Sequence, residues 1–412
     1  MRLSGLVLIG LLTLSSGCQF YLPIAKLEAS TTSGDLPLEV TFRDISNDGG
    51  QPILAWRWNF GDGNTSTAMH PVHTYTKRGT YSVSLQVETP WGTDDVLVEN
   101  LITVREVIRF PDARLDAALR SSLQKPTGSI RVGDLETLRI FDGSDAGVTN
   151  LAGLDRATNL EEVFLSGNAL IDISPLSALS RLRKLNLRDN QVASLEPLRS
   201  LTSLQELDLG INRITDLRPL EGLLALELLN LERNPDLTDI RTIQHLTALQ
   251  ELSLAFTAIA QNDVIDGAGN GDGLNVLRPL AQLRFLDLAA NEIHTLQSLR
   301  DLTTLETLVL FECLIEDIEA LARLTNLREL QLSSNGIVDI SVLADLEALD
   351  LLTLQMNQIT SIAPLVRNQG LENNDVLRLT GNPLDSTSLC SAVPTLELRG
   401  VIIELEQSCS GM

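Results

Sequence analysis

The sequence predicts a multidomain chain, an all-β sandwich followed by a solenoid of stacked parallel strands, and three observations carry that expectation. In the stretch 201–220, LTSLQELDLGINRITDLRPL, Leu201, Leu204, Leu207 and Leu209 lead to Asn212, and Ile214, Leu217 and Leu220 follow it. The apolar spacing switches from three to two and back. A spacing of two suits a short strand with one buried face, and a spacing of three suits tight turns that eclipse every third side chain. This stretch recurs at a near-constant period, the mark of a repeat array. Residues 25–105 instead show short alternating runs between clusters of Gly, Asn, Asp and Pro, as in a sandwich.

The totals agree. The chain has 412 residues, 43% of them hydrophobic, which is ample for a core and leaves room for several domains. Only four His and 4% aromatics accompany the excess of Leu, a bias that suits a repeat array better than an enzyme core. Asp plus Glu number 54 against 31 Lys plus Arg, a formal net charge of -23. A surface of that sign repels phosphate backbones, so nucleic acid is not an expected partner. Nothing in the sequence calls for a cofactor or a metal.

At the start, Arg2 precedes an apolar run over 6–14 and then Ser15, Ser16, Gly17 and Cys18, the layout of a secretory signal over 1–17. The run is too short to span a bilayer, which takes about 20 apolar residues. Cys18 after small residues resembles the lipobox of bacterial lipoproteins, although Leu14 stands one place further from the Cys than that pattern prefers. The resemblance implies acylation of Cys18 and a lipid-anchored tether over 18–24. With Gln19 next, it also implies the outer membrane if the cell is Gram-negative. An ordinary signal peptide is the alternative. If the chain is exported and Cys18 acylated, Cys390 and Cys409 are a candidate disulfide pair and Cys313 is left over.

In the sandwich segment, Leu38, Val40 and Phe42 alternate, as do Tyr81, Val83, Leu85 and Val87, and then Val96 and Val98. Trp58-Asn59-Phe60-Gly61-Asp62-Gly63, followed by Pro71, His73, Tyr75, Gly79 and Tyr81, resembles the PKD domain, an immunoglobulin-like sandwich. Trp58 and Phe60 are expected in the core and the Gly-Asp-Gly stretch in a turn. That stretch carries no Lys and precedes no helix, so it is no phosphate loop. His70 and His73 lack a third ligand nearby in sequence and are expected to pack structurally.

A helical pattern follows over 110–124, with Leu115, Ala118, Leu119 and Leu123 on one face and Lys125-Pro126 ending it. It is expected, over 109–128, to cap the array. Repeats are then placed over 129–382. Equivalents of Asn212 are Asn168, Asn190, Asn234, Thr257, Asn291, Cys313, Asn335 and Asn357, with Asn382 a looser tenth, and most are 22 residues apart. Leu135, Leu138 and Ile140 supply an earlier, irregular repeat. The pattern resembles the leucine-rich repeat, and the Asp-Ile-Ser-Pro-Leu run at 172–176, echoed at 216–220, resembles the 22-residue form of bacterial internalins. That family fold implies a curved solenoid with a parallel sheet on the concave side and short turns on the convex side. One repeat cannot stand alone, because ordering its backbone costs about 1–2 kcal/mol per residue while each buried Leu returns about 1.5–3 kcal/mol. The Asn column would satisfy backbone groups between turns. The remainder, 383–412, is expected to form a C-terminal cap.

Strand faces alternate, so residues six, four and two before each ladder position should point away from the core. On that rule the partner-facing set is Phe164, Glu206, Asp208, Leu228, Glu251, Phe256, Phe285, Asp287, Val309 and Phe311. All five Phe of the repeats, Phe141 included, are expected at outward or rim positions, with Met356 at a similar site. An exposed apolar patch rimmed by acids marks an interaction surface, and mutual covering of neighbouring rings is the plainer alternative. The insertion between Thr257 and Asn291 holds Asp263, Asp266, Asn270 and Asp272 among glycines. Its spacing fails the calcium-loop pattern, which favours a solvated loop. Cys313 at a ladder position is expected to be a buried, inert thiol.

Together these readings predict an exported, lipid-anchored, non-enzymatic recognition or adhesion protein, monomeric, that binds a protein partner on the concave face of its repeats. No nucleophile, general acid and orienting group converge on a recognisable motif. The alternative is a carbohydrate or matrix binder in which the PKD-like domain makes contact and the repeats are scaffold.

Overall fold

The structure is a computed structural model that describes residues 21–259 and 274–409. Cys18 and the acidic insertion at 261–273 lie outside the described residues. The chain divides into two compact units. One runs to Ile108 and takes in Ser129–Gly133; the other comprises Arg109–Gly128 and everything from Asp134 on.

Among the described residues the first unit has eight strands: β1 (Leu27–Ala29), β2 (Ser33–Asp35), β3 (Leu38–Asp44), β4 (Ala55–Asn59), β5 (Thr65–Ser66), β6 (Val72–Tyr75), β7 (Gly79–Thr89) and β8 (Gly92–Arg105). They form two sheets, β1-β3-β6 and β2-β8-β7-β4-β5. Period-two alternation buries Val40 and Phe42 from β3, Trp58 from β4 and Val83, Leu85 and Val87 from β7. Phe42 lies 5.8 Å from Trp58 and 5.2 Å from Phe60, ring centre to ring centre. Trp58 and Phe60 are 1% and 2% exposed, as expected. The buried Tyr75 hydroxyl donates to Phe60 O at 3.0 Å, and Trp58 Nε1 donates to Ala68 O at 2.9 Å. Gly61 has φ +82°, and a Cβ there would stand 2.4 Å from Ser82 O, so only glycine fits the turn. His73 stacks on Phe60 and its Nε2 meets Asp62 Oδ2 at 2.8 Å, while His70 Nδ1 accepts from the Asp44 amide.

The second unit opens with α1 (Ala113–Ser122), which buries Leu115 and Leu119. Asp112 caps it by accepting from the Arg114 amide at 2.8 Å, and its other oxygen accepts from the Thr149 and Asn150 amides at 2.7 and 3.1 Å. These backbone donors hold the carboxyl down to about 2 against the opposing effect of burial, which is the largest single influence on it. Among the described residues, twelve parallel strands of three residues follow in chain order as one sheet, from Ile140–Asp142 to Ile402–Glu404. In register, Val163, Leu185, Leu207, Leu229, Leu252, Leu286, Leu308, Leu330, Leu352 and Leu377 form one buried column. Short 3-10 turns line the opposite side; Pro175, Pro197 and Pro219 sit in their first turns, and Asp172 and Asp216 accept from the amides of Ser174 and Arg218.

The first strand corrects the expected phase. Phe141, expected outward, is 0% exposed and pairs in register with Val163, while Ile140, expected inward, is 55% exposed. A shift of one residue moves every side chain to the other face. The residue that would set the phase here, Ala146, is no Asn.

Elsewhere the ladder holds the turns together. Asn212 Nδ2 donates to Leu209 O and Gly210 O of its own turn and to Leu187 O of the turn before, while its Oδ1 accepts from the Val192 amide at 2.9 Å. Asn190, Asn234 and Asn357 repeat the pattern. At the far end Cys390 and Cys409 are joined in a disulfide. Asn368, buried, donates to Leu343 O and Leu346 O, and Arg399 donates to Asn368 O and Val366 O.

Replacing Asn212 by Ala strands the buried Val192 amide, whereas Leu187 O keeps its bond from Asn190 Nδ2, so a urea titration should show a loss of about 1–3 kcal/mol, the cost of one buried group left unpaired. Asn212→Asp should cost more at neutral pH, because a carboxylate would then face three carbonyl oxygens, and part of that loss should return on acidification.

Candidate binding face of the repeat sheet

Every three-residue strand but the last, whose Ile403 is only half-buried, buries its middle residue and turns the flanking two to the sheet's outer face, as in Glu206-Leu207-Asp208. The residue just before each ladder position takes a left-handed conformation, with φ near +54° at Ile211, Phe256 and Met356. That residue turns the chain out of the strand. Phe256 therefore stands at the rim of the face rather than in a strand column.

The outward residues fall into groups with different duties. Glu206 pairs with Lys184 at 2.7 Å across neighbouring strands. Asp208 and Asp287 are half-buried, and each accepts from the amide two residues on, Gly210 at 2.9 Å and Ala289 at 3.0 Å. Burial pushes both carboxyls up, more than those amides pull them down. Asp142, Asn186 and Asn230 make the same bond in their own repeats. This Asx column closes the strand ends, a role the columnar reading missed; Asp or Asn recurring four places before the ladder was its signal.

Gly210 is another correction. Two places before Asn212, and so expected by the alternation of faces to point outward to a partner, it is instead buried beneath an ion pair between Arg188 Nη2 and Glu232 Oε1 at 2.5 Å. A Cβ on Gly210 would come within 2.7 Å of Arg188, so the glycine leaves room for that bridge.

The Phe residues are divided too. Phe256 and Phe311 meet edge to face at 6.0 Å and cover Ala255, Ala289 and Val309 as a small apolar cluster apart from the main core. Val309, expected to be exposed, is 7% exposed. The Arg233 guanidinium lies 4.5 Å from the Phe256 ring centre. Mutual covering therefore accounts for part of the patch. Phe285 stays half-exposed in another column, between exposed Glu251 and half-exposed Thr307 in register, with half-exposed Leu228 beyond Glu251. Phe164, half-exposed, lies five strands from Phe285 and outside the cluster.

Cys313 is fully buried, its Sγ donates to Leu288 O at 3.2 Å, and burial pushes the thiol up to about 11. It is protonated at neutral pH and no nucleophile. Among the described residues no three His, Cys, Asp or Glu side chains are grouped to hold a metal ion, and no helix is long and apolar enough to cross a membrane.

Comparison with known proteins matches these features. The PKD domain family covers residues 22–104, and the leucine-rich repeat family matches residues 158–200, 180–222 and 202–245. The chain thus combines an N-terminal PKD domain with leucine-rich repeats, and internalins are among its structural neighbours. An internalin of Listeria monocytogenes is 28% identical with a TM-score of 0.52, covering 73% of this chain and 96% of its own. Among curated proteins, collagenase ColQ1 of Bacillus cereus (strain Q1) is 34% identical over 107 residues, and the pre-pro-metalloprotease PrtV of Vibrio cholerae is 37% identical over 73. The chain spans 11% and 8% of those two proteins, and the collagenase likeness is confined to the PKD region. Leucine-rich repeat and PKD folds are typically non-catalytic, repeat proteins of this kind typically bind proteins, and the likenesses point to an extracellular or surface protein.

Asp208 and its Asx neighbours allow a direct test of structural against binding roles. The raised carboxyl means that the folded state holds the proton more tightly than the unfolded chain, so stability falls as pH rises from the unfolded value through the folded one. Asp208→Asn keeps the acceptor for Gly210, as Asn186 and Asn230 do, and should leave the urea midpoint at pH 7 unchanged or higher. Asp208→Ala should lower it by about 1 kcal/mol through loss of the turn bond.

Proposed function

We propose that the chain is an exported, lipid-anchored, non-enzymatic recognition protein of the cell envelope that binds a protein partner on the outer face of its repeat sheet. The observation that carries this reading is the apolar floor of Ala255, Ala289 and Val309 under Phe256 and Phe311, with Phe285 and Leu228 half-exposed near it. Acids stand around it at Glu232, Glu251 and Asp287, and Arg233 borders it. An apolar centre with a charged rim is the usual anatomy of a protein interface. The acid excess selects a partner with a basic rim. The internalin likeness supports a repeat surface put to recognition, and the lipobox-like stretch ending at Cys18 supports the anchor.

Phe285 and Leu228 are the residues to change, since Phe256 and Phe311 also hold the small cluster together. Partners are captured from the native cell surface on the intact protein, and Leu228→Ser with Phe285→Ser is then compared. Binding should weaken roughly tenfold or more, the loss expected when central contacts are truncated, with the melting midpoint little moved. Val72→Ser with Leu97→Ser, on exposed positions of the PKD domain, should leave binding intact. Loss of binding in that second variant alone would favour contact through the PKD domain.

A further inference from the structure

Six large apolar side chains of the first unit, Tyr21, Leu22, Ile24, Ile45, Leu54 and Trp91, are each 48–62% exposed and gather at one end of the sandwich. The pairing puts them there. Ile24 bridges Asn47 just past the end of β3, and the Ile45 amide donates to Lys26 O. The Leu54 amide donates to Glu88 O near the end of β7, and Thr89 pairs with Gly92 at the hairpin that carries Trp91. Leu22 lies over that hairpin, its Cδ2 only 2.8 Å from where a Cβ on Gly92 would be. Trp56 Nε1 donates to Asp44 Oδ2 at 2.7 Å, tying the start of β4 to the end of β3 at the same end.

This is also the end at which the described chain begins. Tyr21 is three steps along the chain from Cys18, with Gln19 and Phe20 between, a reach of at most ~11 Å when fully extended. We propose that this end of the PKD domain rests in the headgroup region of a lipid bilayer, with Tyr21 and Trp91 at the interface, as aromatic side chains with polar tips favour. The inference rests on the lipid-anchor reading, which supplies the bilayer and its distance. Acids dominate the surroundings: Asp48 accepts from the Gly50 amide, Asp94 from the Ala25 amide, and Glu88 faces Arg57 at 3.7 Å. Such an end is repelled by anionic lipid, so the surface that fits it is zwitterionic.

The chain itself provides the probe. Trp58 is buried and Trp56 hydrogen-bonded, so Trp91 is the one largely exposed indole. Cys313 is buried and Cys390 bonded to Cys409, which leaves Cys18 for coupling to a thiol-reactive lipid. The mature chain from Cys18 is attached in this way to phosphatidylcholine vesicles whose acyl chains are brominated near the headgroup. Emission should be quenched relative to unbrominated vesicles, and that quenching should vanish in Trp91→Phe and fall in Leu54→Ser, which keeps the indole. Equal quenching in Trp91→Phe, or none in the parent, overturns the inference, as does a sedimentation result in which this end pairs with a second copy. Mass spectrometry of Cys18 from the native host tests the anchor separately. An unmodified Cys18 would sink the anchor reading while the coupled vesicles still report on the surface.

Discussion

The solenoid depends on one side-chain amide placed where the strand gives way to the turn. Strand pairing satisfies the backbone of three residues per repeat, and the turn then leaves carbonyls and an amide facing inward, where no water can reach them. A group with two donor hydrogens and an acceptor oxygen answers all of them, and Asn is the smallest side chain that has both. Its reach to the preceding turn makes it a staple between repeats as well as a cap within one. The exceptions show the constraint at work. Where the ladder residue is Thr257 or Cys313, the preceding turn folds its own amide back, Leu237 onto Asn234 O and Ile293 onto Asn291 O. The last ladder residue, Asn382, has no Asn after it, and Leu384 closes on its carbonyl in the same way. Asn335 compensates on the other side by accepting from both Cys313 and Ile315.

That internal requirement decides what the outer face is free to do. Residues four places before the ladder close the strand ends, and the Arg188–Glu232 pair bridges a glycine, so much of the charge on the face is already engaged. In the binding proposed above, charged side chains in those columns would contribute to a partner's electrostatic environment more than to direct contact. The freer positions are six places before the ladder, where Leu228, Glu251 and Phe285 follow one another in register.

Period, ladder and core column were legible in the sequence because each is a local pattern repeated many times, and one instance checks the next. The first strand was misread because its repeat has Ala146 in place of Asn, and the inward choice between Ile140 and Phe141 then had no reference. In the PKD domain, Trp58 and Phe60 were readable because the turn glycines fixed the phase. The burial of Val309 was not readable for a different reason. Direction is a property of one strand, whereas depth depends on what adjacent repeats place beside it, here Phe256 and Phe311. Gly210 was read as open for the same cause, since the ion pair covering it comes from the repeats on either side.

The small cluster on the face is compatible with a binding role because of what lies beneath it. Ala255 and Ala289 are short enough for two rings to settle against the sheet, and the Arg233 guanidinium lies over the face of one of them, Phe256. Rings fixed in this way lose little conformational freedom when a partner arrives, so more of the contact energy appears as affinity. In a repeat array stability is close to a sum of neighbouring terms. A local concentration of aromatic side chains in two or three repeats can therefore shape a recognition surface while the ladder elsewhere keeps the sheet in register.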